Sequence, residues 1–277
     1  MANPPTPDTG EEMETVTSAD GTEIAFERTG GGPPLVLVHG MAGNRTRWEL
    51  FDVRSALAEH TTVYAVDRRG HGESGDAEEY ALEREFEDVA AVVDSIDDPV
   101  HLLGHSHGGL CALEAALRTD NLRSLVVYEP AGPWEVPHHY SEELYEELEA
   151  LVDAGENEEA LLLFLREGIH LPDSQIDALR TAPNWSARVD EAPTLPREYL
   201  VPTRYAFEPA RFAEMTTPTL LLVGGESPGW ITDATAAIDD ALPNSRISVL
   251  EGQEHLAMNT APDLFIGEVL AFVQECQ

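Results

Sequence analysis

The segment Gly104-His105-Ser106-His107-Gly108-Gly109 holds one serine between glycines. A serine hydroxyl is a weak nucleophile at neutral pH, so chemistry at Ser106 requires exposure, aim and a base beside it. The apolar run Val100-His101-Leu102-Leu103 before it has the length of a strand, and Leu110 to Leu117 after it reads as a helix. A sharp strand-to-helix turn presents the serine but crowds the backbone, which accounts for residues without a Cβ at Gly104 and Gly108. The same turn aims the first helical N–H groups, that of His107 included, at the place where an oxyanion would form.

Three other loops carry chemistry-bearing residues, and each follows a strand-like run. His39-Gly40-Met41-Ala42-Gly43 follows Leu35-Val36-Leu37-Val38, and Asp67-Arg68-Arg69-Gly70-His71-Gly72-Glu73-Ser74 follows Thr62-Val63-Tyr64-Ala65-Val66. Gly252-Gln253-Glu254-His255 follows Ile247-Ser248-Val249-Leu250. An imidazole, with a free pKa of about 6.5, takes and returns a proton close to neutrality.

The elements that must position these loops alternate. Met13 to Ser18 and Thr22 to Arg28 flank Asp20-Gly21, a two-residue hairpin signal. The continuous apolar strands beginning at Leu35, Val63 and Val100 are of the kind buried on both faces of a parallel sheet. Between them lie a helical pattern from Arg47 to His60 and an amphipathic one through Leu82, Phe86, Val89, Val93 and Ile96. The strand Ser124 to Tyr128 completes this first half. From about Gly132 to Thr217 only helical patterns occur, at Glu142 to Val152, Glu158 to Glu167 and Asp173 to Arg180. Then strand Thr219 to Val223, a helix around Asp233 to Leu242, strand Ile247 to Leu250 and helix Pro262 to Val273 resume the earlier order. The expectation is an α/β protein: a mostly parallel eight-stranded sheet flanked by helices, with right-handed crossovers. Residues 13–131 and 218–277 would form the core domain, 132–217 a helical cap inserted over the strand ends, and 1–12 a disordered tail.

With these loops in this order, the chain from about Met13 to Val273 resembles the α/β-hydrolase-fold serine hydrolases that carry a helical cap. The resemblance implies that Ser106 is the nucleophile and that His255, last in the order serine, acid, histidine, is the general base. It implies an oxyanion hole made by the N–H groups of Met41 and His107, each donor contributing about 3 kcal/mol. Asp67 and Arg69 fall on the family's architectural D-x-R-G-x-G-x-S loop and are structural. The usual acid position, shortly after the strand that follows the cap, holds Gly224-Gly225-Glu226-Ser227 and no aspartate until Asp233. Glu129, at the end of the preceding strand and before Pro130, is preferred over Glu226, because some relatives place the acid there and a strand end holds a carboxylate rigid. Asp233 is the third alternative and falls in the following helix.

His39, Gly40, His105 and Trp134 are expected to line the substrate pocket, with His107 beside them. No metal site is expected: His101, His105 and His107 splay along a strand and its turn without a carboxylate at ligand spacing. His138, His139 and His170 read as surface or pocket-wall residues, and Trp48, Trp134, Trp185 and Trp230 as core residues by default. The implied function is cofactor-free hydrolysis of a carboxylic ester, lactone or thioester of a small or medium, mostly apolar small molecule through an acyl-enzyme on Ser106. Carbon-carbon hydrolysis of a diketone uses the same groups, and a non-catalytic binding protein on this fold is the reading from another class. Serine rather than aspartate at the elbow argues against epoxide hydrolases and dehalogenases.

Composition sets the setting. The 277 residues include 52 acidic and 16 basic ones, all arginine, for a formal charge of −36. Such a charge repels nucleic acid and anionic membrane surfaces. The complete loss of lysine resembles proteins of extreme halophiles, whose molar salt shortens the Debye length to about 3 Å and screens the self-repulsion. Cys111 and Cys276 are too few for a disulfide framework. The polar, Pro-rich start lacks a signal-peptide pattern and no apolar run reaches spanning length, so a cytoplasmic enzyme is expected. The composition predicts a thermal midpoint that rises from dilute buffer to molar potassium chloride. A midpoint insensitive to salt removes the salt-adapted reading.

Overall fold

A computed structural model describes residues 12–132 and 140–277. The expected Trp134, His138 and His139 positions lie outside these residues. Eight strands form one sheet: β1 (Glu12–Thr17), β2 (Glu23–Gly30), β3 (Pro34–Val38), β4 (Thr62–Val66), β5 (Val100–His105), β6 (Leu122–Tyr128), β7 (Thr219–Gly224) and β8 (Ser245–Leu250). Their order across the sheet is β1-β2-β4-β3-β5-β6-β7-β8. β1 and β2 form an antiparallel hairpin and β2 runs antiparallel to β4, whereas every pairing from β4 to β8 is parallel. Glu12, assigned to the tail by pattern, opens β1 opposite Arg28, because the hairpin register extends one pair further than the apolar pattern.

Twelve α-helices are present among the described residues. Those of the sheet domain are α1 (Val53–Ala58), α2 (Leu82–Asp94) and α3 (His107–Ala115) before the insertion. The insertion between β6 and β7 contributes α4 (Glu142–Asp153), α5 (Asn157–Leu163), α6 (Asp173–Arg180), α7 (Trp185–Asp190), α8 (Leu195–Tyr199) and α9 (Val201–Arg204). The sheet domain resumes with α10 (Gly229–Ala241), the short α11 (Ala257–Thr260) and α12 (Pro262–Glu275). The single helix expected over Arg47 to His60 is instead a 3-10 segment, Arg45–Asp52, followed by α1. Leu50 at ψ 135° and Phe51 at φ 56° break the helical run, which lets Trp48 turn fully into the core.

Strand alternation sorts the apolar residues onto two faces. Val36, Val38, Leu102, Leu125 and Val127 join the core under α2, α3 and α10, while Leu35, Leu37, Leu103, Val126 and Tyr128 join the core under α1 and α12. A third cluster, built from Leu144, Leu148, Leu161, Phe164, Ile176, Leu195 and neighbours of the insertion, packs against Met41 and Ala42. The insertion therefore has its own apolar centre and lies on the loop after β3.

Charge, unexpectedly, fastens the insertion to the sheet domain. Arg68 is buried and donates to Glu85 of α2 at 2.6 Å and to Glu198 of α8. His71 lies 3.2 Å from Glu198 and 3.3 Å from Glu191, and Glu191 also accepts from Asn44 at 2.7 Å and from the Gly72 N–H at 3.0 Å. Asp67 and Arg69 are structural as expected. Asp67 accepts from the N–H groups of Arg45 and Glu73 at 2.8 and 3.0 Å, and Arg69 grips Asp88 at 2.6 and 2.7 Å and Asp20 at 2.8 Å. Removing one partner from such a buried set leaves an uncompensated charge. Arg68→Met is therefore expected to cost roughly 3–5 kcal/mol in chemical denaturation, and a loss below 1 kcal/mol would show that the network carries little of the fold.

Candidate active site

Ser106 sits at the corner between β5 and α3 with φ 56° and ψ −122°, a strained conformation for a residue with a side chain. The surrounding backbone holds it there. A Cβ on Gly104 would fall 2.2 Å from the carbonyl oxygen of Gly108, and one on Gly108 would fall 2.3 Å from that of His39. The turn is thus wedged against the end of β3, with the Ser106 N–H donating to Tyr128 O at 3.0 Å and its own carbonyl accepting from Gly109, Leu110 and Ala131.

His255 faces the same space, carried by the loop after β8. Its Nδ1 donates to Glu129 Oε2 at 2.7 Å, which leaves Nε2 as the basic nitrogen. Glu129 Oε1 accepts from the Gly224 N–H at 2.7 Å and from Ser227 Oγ at 2.5 Å. Burial pushes the Glu129 carboxyl upward, but the bonds from His255, Ser227 and Gly224 outweigh it and bring it below the usual carboxylate value. Of the three acids considered, Glu129 is the one in contact with His255. Glu226 is exposed, with its main-chain N–H on Gln253 O, and Asp233 is exposed on α10.

Neighbours hold the His255 loop from both sides. Tyr128 Oη donates to Glu254 O and accepts the Ala257 N–H at 3.1 Å. His105 Nε2 lies 2.9 Å from the His255 carbonyl, and since a carbonyl only accepts, His105 carries its proton on Nε2. Burial, then His255 and Arg47, hold His105 well below the ordinary imidazole range and keep it neutral.

The remaining expected positions divide. Gly40, Met41 and His105 line the cavity beside Ser106, but His39 does not. His39 is fully buried, its Nδ1 donating to Gly40 O at 2.8 Å and its Nε2 accepting the Arg68 N–H at 3.1 Å, with its ring edge-on to His71. It braces the turn after β3 because the strand direction carries its side chain under the sheet end. The His107 side chain likewise leaves the pocket, reaching Glu85 at 3.1 Å, since the helix it opens rotates it onto α2. Its backbone N–H stays at the α3 start beside Ser106. Trp48 is a core residue, whereas Trp230 and His170 line the cavity.

That cavity has two compartments sharing Met41, Ser106, Phe164, Ile169, Leu171 and His255. The larger, of about 210 Å³, is mostly apolar, bounded by Ala131, Pro172, Tyr199, Trp230 and Ile231. The smaller, of about 50 Å³, runs along Gly40 to Gly43 and reaches Arg47 and Arg188. Sequence reasoning missed both arginines: one sits in an unremarkable 3-10 segment and the other among acidic helices, and no motif marks either. Among the described residues, Glu85, His107 and Cys111 also bring ligand-type atoms within 4.8 Å of one another. Glu85 is already engaged there by Arg68, and burial raises the Cys111 thiol well above its ordinary value, so the thiolate a metal needs is disfavoured.

The Glu129 contacts set an acid limb. Because its folded value is depressed, the stability it contributes is present above about 4.3, the unfolded carboxyl value, and is lost as pH falls through the lower folded value. Denaturation midpoints between pH 5 and pH 3 should therefore fall less steeply in Glu129→Gln than in the wild type. Parallel curves would remove this linkage.

The family model for the alpha/beta hydrolase family matches residues 35–268. Among curated relatives, a putative carbamate hydrolase of Pseudomonas savastanoi pv. phaseolicola is 28% identical over 258 residues, covering 87% of this chain and 93% of that protein. Other curated relatives match over a shorter stretch, and the chain spans only about a third of their length, 30% and 33%. Among solved structures, an alpha/beta hydrolase from Sphaerobacter thermophilus is 37% identical with a TM-score of 0.80, covering 94% of this chain and 100% of that one. The esterase RhEst1 from a Rhodococcus species is 26% identical with a TM-score of 0.71, covering 96% and 99%. With the sheet order, the elbow and the family match in agreement, the chain belongs to the alpha/beta hydrolase family.

Proposed function

We propose that this hydrolase cleaves a carboxylic ester, lactone or thioester of a small, partly apolar molecule through an acyl-enzyme on Ser106. The observation that carries the reading is that Ser106 and a carboxylate-held His255 line one cavity. His255 Nε2 takes the Ser106 proton as Oγ attacks the carbonyl carbon, and the positive imidazolium is stabilised by Glu129, which stays ionised. The N–H groups of Met41 and His107 receive the charge that develops on the carbonyl oxygen. The imidazolium then protonates the departing alcohol or thiol. In the second half His255 deprotonates water, which attacks the acyl carbon and returns Ser106 as the free hydroxyl. The helices between β6 and β7 serve as the cap: Phe164, Ile169, Leu171 and Tyr199 supply the apolar wall that excludes water and selects the acyl chain. Salt adaptation, from the absence of lysine, belongs to the same proposal.

A fluorophosphonate should label Ser106 stoichiometrically, and p-nitrophenyl esters should turn over. Glu129→Gln should lose roughly 10³–10⁴-fold in kcat, as when the orienting acid of such a triad is neutralised, whereas Glu226→Gln and Asp233→Asn should stay within about threefold. No labelling of folded protein, or a larger loss at Glu226, would overturn the assignment.

A further inference from the structure

Among the described residues five arginines are buried, and they fall into two kinds. Arg54, Arg68 and Arg69 each donate to carboxylates, those of Glu27, Glu85, Glu198, Asp20 and Asp88. Arg47 and Arg188 meet no carboxylate among the described residues. Arg47, 4% exposed, turns Nη2 onto the thioether of Met258 at 3.1 Å, and its Nη1 has no hydrogen-bond partner. Arg188, 6% exposed, gives Nη1 to Ala42 O at 3.2 Å, and its Nε has none. In a chain with 52 acidic residues, leaving two interior guanidiniums without a counter-ion is a costly arrangement. Proximity adds to the cost, since the charge of Arg188 acts on Arg47 and both act on His105. Burial lowers Arg47 to about 9 and Arg188 to about 10, so both remain cationic at neutral pH. Such unsatisfied buried donors call for a missing acceptor.

Their position says where that acceptor belongs. One comes from the segment after β3 and the other from α7 of the insertion, and both bound the 50 Å³ compartment that opens on Ser106, His255 and the Gly40 to Gly43 turn. We propose that this compartment is a carboxylate-binding subsite formed between sheet domain and insertion, so that the substrate is a half-ester or related acyl compound bearing a free carboxylate near its scissile bond. The inference rests on the acyl-hydrolase reading for its substrate class. A planar, singly charged carboxylate suits two weakly hydrated guanidiniums in a compartment of this size. The bulkier tetrahedral phosphate suits it less. The apolar remainder of the molecule then lies in the 210 Å³ compartment.

The test separates binding from turnover. In Ser106→Ala, which cannot form an acyl-enzyme, monomethyl succinate should bind at least tenfold more tightly than neutral dimethyl succinate by calorimetry at fixed ionic strength. Adding Arg47→Met or Arg188→Met should erase that preference, and Arg47→Lys or Arg188→Lys should keep much of it, which distinguishes a lost charge from a lost fold. Equal affinities for the two esters in Ser106→Ala, or a preference that survives both methionine variants, would overturn the subsite. In the active enzyme, the ratio of kcat/KM for p-nitrophenyl hemisuccinate over p-nitrophenyl valerate should fall at least tenfold in either methionine variant, and an unchanged ratio would count against the subsite. Failure of fluorophosphonate labelling together with failure of all ester turnover would strike the acyl-hydrolase reading instead, and the affinities in Ser106→Ala would still decide the anion subsite.

Discussion

The contact between the Ser106 turn and the end of β3 is the constraint on which the site depends. Gly104 and Gly108 leave no room for a methyl group between the turn and the carbonyls of Gly108 and His39. That closeness keeps Ser106 at a positive φ, which a free chain would relax. It also joins three strands at one point, since the turn follows β5, rests on β3 and donates the Ser106 N–H to the carbonyl of Tyr128 at the end of β6. Every other group in the site is placed relative to this corner.

Glu129 repeats the device one strand over. It directly follows β6 with φ 40°, and its N–H donates to Leu222 O of β7 while its carboxylate takes donors from Gly224, Ser227 and His255. One side chain thereby ties the ends of β6 and β7 to the loop after β8. A parallel sheet gathers its strand ends along one edge, and the carboxylate converts that adjacency into a fixed orientation for the imidazole.

The interior treats charge in two ways, and the contrast organises the boundary between sheet domain and insertion. Around Arg68, carboxylates from α2 and α8 flank a cation and balance its charge. Around Arg47 and Arg188, the same boundary presents cations to a cavity without a protein counter-charge among the described residues. The first arrangement fastens, and the second is suited to receiving something from outside.

Much of the fold was legible along the chain, because strand and helix periods and the glycine-rich corners are local properties. Continuous apolar runs marked β3 to β7, and the elbow residues announced Ser106 with its turn before any strand order was known. Glu129 was legible only as the favoured one of three acids, since the distance to His255 spans 126 positions and depends on β6 and β7 being neighbours. His39 and His107 misled for the same reason. Their places beside the site are local, but the directions of their side chains are set by β3 and by the rotation of α3 against α2. Residue types and order thus determined the scaffold and the strand-end loops that carry Ser106 and His255, since these rest on backbone sterics that short segments encode. Which carboxylate holds the imidazole, and that two arginines 141 positions apart meet at one cavity, was decided by tertiary packing, because such contacts depend on how distant segments are brought together and no local pattern records them.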